Sequence, residues 1–100
     1  MNVRRSVFLL EDEPELAKLV QLHLERADFK VSAFSTAKGF VSAAREQQPS
    51  LFLLDIMVPG GDGREVCSQI RDSEALAHTP VIFLTARASE ADRLQGFGLG

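Results

Sequence analysis

Three short runs of unbroken apolar residues punctuate the chain, at 7–10, 51–54 and 81–84. None alternates with polar residues, as expected of strands in a parallel sheet covered on both faces. A fourth stretch, residues 30–34 (Lys-Val-Ser-Ala-Phe), half alternates and suits an outer strand. Between these runs the apolar spacing becomes helical. Pro14 fits a first helical position behind Asp12 or Glu13 as cap, and Leu16, Leu19, Val20, Leu24 and Ala27 follow as a stripe. Ser35 or Thr36 opens a second helix carrying Phe40, Val41 and Ala44, which Pro49 closes. Asp62 or Gly63 leads into a third with Val66, Cys67 and Ile70. A fourth begins at Ser89, with Asp92 three residues on in a capping-box pattern, and buries Leu94 and Phe97. The order β-α-β-α-β-α-β-α predicts a doubly wound α/β domain with right-handed crossovers.

Composition narrows the class without changing that picture. One hundred residues, 45% hydrophobic and 25% charged, make one small globular domain. The apolar runs are too short to span a membrane. A net charge of −3 argues against a strongly nucleic-acid-binding surface on this chain. Arg4 and Arg5 ahead of an apolar run resemble an export signal, but the run is short and Glu11-Asp12-Glu13 follows at once, so a cytoplasmic protein is expected. A single cysteine, Cys67, rules out an internal disulfide and fits a reducing compartment, where it serves as a small apolar side chain on a helix face.

The candidate chemistry lies at the strand ends. In an open α/β sheet, ligands bind outside the carboxyl ends of the strands, near the point where strand order reverses. Glu11 and Asp12 end the first strand, Asp55 the third and Thr85 the fourth; if those strands are neighbours, all four side chains meet at one edge. Three clustered carboxylates repel one another unless a cation neutralises them, and hard oxygen ligands favour Mg²⁺. An aspartate beside such a metal can act as nucleophile and form an acyl phosphate, while the Thr85 hydroxyl donates to a phosphoryl oxygen. Each part alone has a plainer reading. Residues 11–13 suit the acidic start of a helix, Asp55 a turn, and Thr85 any strand end. The convergence on one edge is what favours a site. After Asp55, residues 56–63 (Ile-Met-Val-Pro-Gly-Gly-Asp-Gly) form a tight loop that can present a backbone carbonyl to the metal or simply lie on the surface.

These residues resemble the receiver domain of two-component response regulators. The likeness runs through 7–14 (Val-Phe-Leu-Leu-Glu-Asp-Glu-Pro), Leu53-Leu54-Asp55 with Pro59 and Asp62-Gly63, 80–86 (Pro-Val-Ile-Phe-Leu-Thr-Ala) and 91–97. It covers the whole chain, 1–100, with matching spacing. The resemblance implies a flavodoxin-like parallel sheet in the order 2-1-3-4, and a phosphorylation-dependent switch rather than an enzyme of external turnover. Asp55 is then the phosphoacceptor, and Mg²⁺ is held by Asp12 and Asp55, by Glu11 often through water, and by the Met57 backbone carbonyl. Thr85 is the switch hydroxyl and Ala86 the small residue of the phosphoryl pocket. Met57 and Arg87 occupy variable positions that influence phosphate lifetime. The implied partners are a sensor histidine kinase or phosphotransfer protein, and an output domain or downstream protein, with DNA binding and transcription regulation a common output.

The family's lysine on a fifth strand has no counterpart, since Lys18, Lys30 and Lys38 are misplaced, and the fifth βα unit is absent. A C-terminally truncated receiver is therefore expected, with dimerisation or segment exchange covering the fourth-strand edge. Two rivals remain. A haloacid-dehalogenase-like phosphatase needs a second acid two residues after the nucleophile, where this chain has Met57. A receiver-like interaction module that is never phosphorylated fits the missing lysine but not the retained acids. The run 60–65 faintly echoes diguanylate cyclases and carries little weight.

Overall fold

A computed structural model describes residues 5–84; the expectations for Thr85, Ala86 and the fourth helix lie outside them. The elements are β1 (Arg5–Leu10), α1 (Pro14–Arg26), β2 (Phe29–Phe34), α2 (Phe40–Gln47), β3 (Leu51–Asp55), β4 (Met57–Val58), β5 (Gly61–Asp62), α3 (Gly63–Asp72) and β6 (Val81–Leu84). The four longer strands form one parallel sheet in the order β2-β1-β3-β6, which is the expected 2-1-3-4 arrangement. The half-alternating strand is indeed at an edge. A two-residue antiparallel hairpin, β4 with β5, lies inside the loop after Asp55.

Period-two alternation divides the strand residues between two faces. Phe8, Leu10, Phe52, Leu54 and Val81 point toward α2 and α3, where Phe40, Val41, Ala44, Val66, Ile70 and Leu76 complete the larger core. Phe40 is its hub, with ring centroids 5.6 Å from Phe8, 5.8 Å from Phe52 and 5.0 Å from Phe34. Tilted and edge-on contacts of this kind add to the area that the rings bury. Val7, Leu9 and Leu53 face the other way, against Ala17, Val20 and Leu24 of α1.

Several local expectations need correction. The second helix opens at Phe40, not at Ser35 or Thr36, because Gly39 takes a left-handed conformation (φ 76°) at its N-cap. Residues 35–39 are instead a bent loop. At the other end Gln48, also left-handed, precedes Pro49 and stops the helix as foreseen. Of the predicted α1 stripe, Val20 and Leu24 face the sheet, joined by Ala17. Leu19 is 52% exposed because it lies a full 100° step round from Val20, and Ala27 lies past the helix end. Pro14 holds its first-turn position, but the Glu13 cap residue makes no side-chain capping bond. Finally, β6 is not fully buried. Ile82 is 52% exposed, since it lies at the sheet edge on the face that α1 covers only in part.

Replacing Phe40 by alanine removes the residue joining three other rings. We expect a loss of about 3–5 kcal/mol in unfolding free energy, read by urea denaturation followed by far-UV circular dichroism. A loss below about 1 kcal/mol, within the range of ordinary surface changes and mild repacking, would contradict the hub role.

Candidate functional site

The register of the two central strands assembles the acids. Leu10 pairs with Leu54, so the next residues, Glu11 and Asp55, emerge side by side at the carboxyl edge. The order β2-β1-β3 makes that edge the point where the chain's connections diverge to opposite sides of β1, the place where such sheets bind ligands. The Glu11 amide donates to the Phe34 carbonyl of β2 at 2.9 Å, which ties the start of the acidic loop to the sheet. One carboxylate oxygen from each of Glu11, Asp12 and Asp55 lies within 4.8 Å of the others.

The three differ in environment. Glu11 is buried (4% exposed), and its carboxylate accepts the Glu13 amide proton at 2.9 Å. Burial pushes its pKa above the ordinary carboxylate value; the Glu13 amide opposes this, and the charges of Asp55 and Asp12 add to the rise. Asp55 is half-buried and is likewise pushed up, first by burial and then by the Asp12 charge. The backbone amides of Ile56 and Met57, which favour the charged form, pull it back. A smaller lowering of Asp55 comes from the Glu11 side chain. Asp12 is exposed. A cluster of oxygen ligands, two of them raised by burial and by neighbouring acid charges, fits a hard divalent cation such as Mg²⁺, whose charge would relieve the repulsion.

The loop after Asp55 is more structured than its glycines and proline suggested. Met57 pairs with Asp62 and Val58 with Gly61. Asp62 caps α3, accepting the Arg64 amide proton at 2.7 Å and a guanidinium bond at 2.8 Å; this bonding holds its pKa below the usual range. The Met57 side chain is 61% exposed and has no carboxyl group, so the structure supplies no acid at the place a dehalogenase-type phosphatase needs one. Leu84, the last described strand residue, is the register partner of Asp55. Cys67 packs against the larger core, and burial raises its pKa, in keeping with a small apolar role. No helix among the described residues is long and apolar enough to cross a membrane.

Comparison with known proteins follows the same lines. The family model for the response regulator receiver domain matches residues 7–100. The transcriptional regulatory protein GltR of Pseudomonas aeruginosa is 42% identical over 96 residues, which are 96% of this chain and 40% of GltR, so the chain spans well under half of that relative. The non-phosphorylated HemR receiver domain of Leptospira biflexa superposes with a TM-score of 0.80 at 30% identity, covering 97% of this chain and 77% of that one. The receiver domain of a sensor histidine kinase from Pseudomonas aeruginosa PAO1, with magnesium coordinated in its active-site cleft, has a TM-score of 0.85 at 26% identity, covering 98% and 80%.

The raised carboxyls carry a pH prediction. A group whose pKa is higher folded than unfolded binds more protons in the native state, so stability falls as pH rises through the window above its ordinary value. For Glu11 and Asp55 that window opens above 4.5 and 3.8. Without metal, the melting temperature should therefore decline from about pH 5 toward neutrality, and the gain on adding Mg²⁺ should grow over the same range. Thermal melts with and without Mg²⁺ check this; a Mg²⁺ gain independent of pH would contradict it.

Proposed function

The chain belongs to the response regulator receiver family, and we propose that it accepts a phosphoryl group on Asp55 with Mg²⁺ as cofactor. The observation that carries this reading is the convergence of Glu11, Asp12 and Asp55 within 4.8 Å at the carboxyl ends of two neighbouring parallel strands. The function is that of a signalling domain in a two-component system.

In the proposed reaction an Asp55 carboxylate oxygen attacks the phosphorus of a phosphohistidine on a sensor kinase or phosphotransfer protein. The new O–P bond forms as the P–N bond breaks, and the imidazole leaves with the electron pair and takes up a proton. The product is an aspartyl phosphate. A bound Mg²⁺ would neutralise the charge of the incoming phosphoryl oxygens. Asp12 and Asp55 would hold it directly, Glu11 through water, and Met57 by its backbone carbonyl. The burial of Glu11 suits an indirect role: its carboxyl orients the loop through the Glu13 amide while lending charge. By the family resemblance, Thr85 and Ala86, which follow Leu84 in the sequence, would complete the phosphoryl pocket, the Thr85 hydroxyl reading the modification and biasing two shapes of the domain.

Upstream, the partner is a histidine kinase; downstream, transcription regulation by a DNA-binding output is supported by the likeness to GltR. A cytoplasmic location fits both. Pairing of two copies through β6 is supported by the exposure of Ile82, and sedimentation equilibrium tests it, a strictly monomeric species excluding it.

Incubation with acetyl phosphate and Mg²⁺ should add the mass of one phosphoryl group, and Asp55→Asn or chelation should abolish the addition. Glu11→Gln should keep the acceptor but weaken Mg²⁺ binding by about 10–100-fold, as expected of a residue acting through an outer shell. Phosphoryl uptake by the Asp55→Asn protein at the wild-type rate would exclude Asp55 as acceptor. An interaction module that is never phosphorylated would show no uptake at all.

A further inference from the structure

Gly63 begins α3, and it is buried. Its backbone is not left-handed, unlike Gly39 and Gly60, so conformational freedom does not explain a glycine here. Space does. A Cβ at this position would overlap the Asp55 carbonyl oxygen and would lie 3.0 Å from the Asp55 carbonyl carbon and 3.1 Å from the Ile56 Cα. All three are backbone atoms at the end of β3, which cannot rotate aside as a flexible side chain would. On the same side the Gly63 amide donates to the Ile56 carbonyl at 2.6 Å. The loop that leaves Asp55 thus returns to press against the peptide it left. The β4–β5 pairs close it, and the Asp62 cap fixes the first turn of α3.

The peptides held from behind in this way are the ones that serve the site in front. The Ile56 and Met57 amides are the backbone groups that favour the charged form of Asp55, whose carboxylate lies within 4.8 Å of those of Glu11 and Asp12. We propose that Gly63 is a positioning residue for Asp55: lacking a side chain, it lets α3 seat against the Asp55–Ile56 peptide, and that seating aims two backbone amides at the Asp55 carboxylate and turns it toward Glu11 and Asp12. The consequence for phosphoryl transfer rests on the reading of Asp55 as acceptor, whereas the consequence for the amides does not.

Gly63→Ala is the direct test, with Gly39→Ala as the control. Gly39 has open space for a Cβ but a positive φ, so its replacement strains the backbone without touching the site. Amide hydrogen exchange followed by NMR should show faster exchange at Ile56 and Met57 in Gly63→Ala and no change in Gly39→Ala. Mg²⁺ affinity, measured by calorimetry, should fall on the order of tenfold or more in Gly63→Ala alone, since a displacement of about an ångström is costly to a preorganised site. If Gly63→Ala fails to fold, Asp62→Ala loosens the start of α3 without a clash, and Asp62→Asn keeps a capping side chain while removing the same charge. Faster Ile56 and Met57 exchange in Asp62→Ala than in Asp62→Asn supports the proposal, and equal exchange overturns it. Unchanged exchange and unchanged Mg²⁺ affinity in a folded Gly63→Ala protein also overturn it. If the wild-type protein takes up no phosphoryl group yet the exchange contrast appears, the positioning stands and the acceptor reading fails.

Discussion

Pairing β1 with β3 in the register that sets Leu10 beside Leu54 decides which side chains arrive together at the carboxyl edge. In a structure with a side-chain period of two, a slip of one residue would turn the Phe8, Leu10, Phe52 and Leu54 set out of the larger core and carry the acids out of step. The register is therefore enforced by hydrophobic packing some distance from any chemistry. The phenylalanine cluster around Phe40 and the leucines of both strands hold the strands in phase, and Glu11 and Asp55 meet as a by-product. Because the strands are parallel and neighbours, their ends coincide without a loop having to bring them together.

What meets there is unfavourable in isolation. Two carboxyls raised first by burial, and further by neighbouring charges (Asp55 and Asp12 on Glu11, Asp12 on Asp55), oppose folding at neutral pH, and the amides of Glu13, Ile56 and Met57 recover only part of that cost. The same imbalance makes the pocket receptive to a divalent cation. Repulsion among acids held together by the strand register is relieved by a bound ion, while acids free to separate would gain less from one. A site of this kind contributes to binding what it withholds from stability, and the well-packed core on the α2 and α3 side offsets the deficit.

The legibility of these features in the sequence followed how local their causes are. Uninterrupted apolar runs identified the strands because burial on both faces leaves no room for alternation, and Pro14 and Pro49 marked helix limits because proline acts on its own neighbours. The acidic set was visible as Glu11, Asp12 and Asp55 at strand ends, although their convergence waited on strand order. Features with long-range causes were hidden. The start of α2 depended on a left-handed Gly39 that Ser35 and Thr36 outcompeted as cap signals. Leu19 counted toward an apolar stripe that the sheet does not reach. Leu76, fully buried, lies in a turn after α3 that carries no periodic pattern. Gly63 read as a turn glycine, whereas its reason is the proximity of Asp55, eight residues back and invisible to any local rule.

Packing differs between the two faces in a way that bears on the site. The largest fully buried side chains, Phe8, Phe40 and Phe52, all belong to the α2 and α3 side, while α1 contributes no fully buried residue and leaves Leu19 and Leu22 exposed. Extending the alternation of Val7 and Leu9 to position 11, and of Leu51 and Leu53 to position 55, carries the two raised carboxyls toward the α1 side. The charged groups thus occupy the more lightly packed side, where displacing a side chain sacrifices fewer contacts. Behind them, α3 presses through Gly63 on the Asp55 peptide from the heavily packed side. Asp55 is backed at its peptide by that contact while its side chain stays half-buried, a division that lets a charged group be aimed by the core without being enclosed in it.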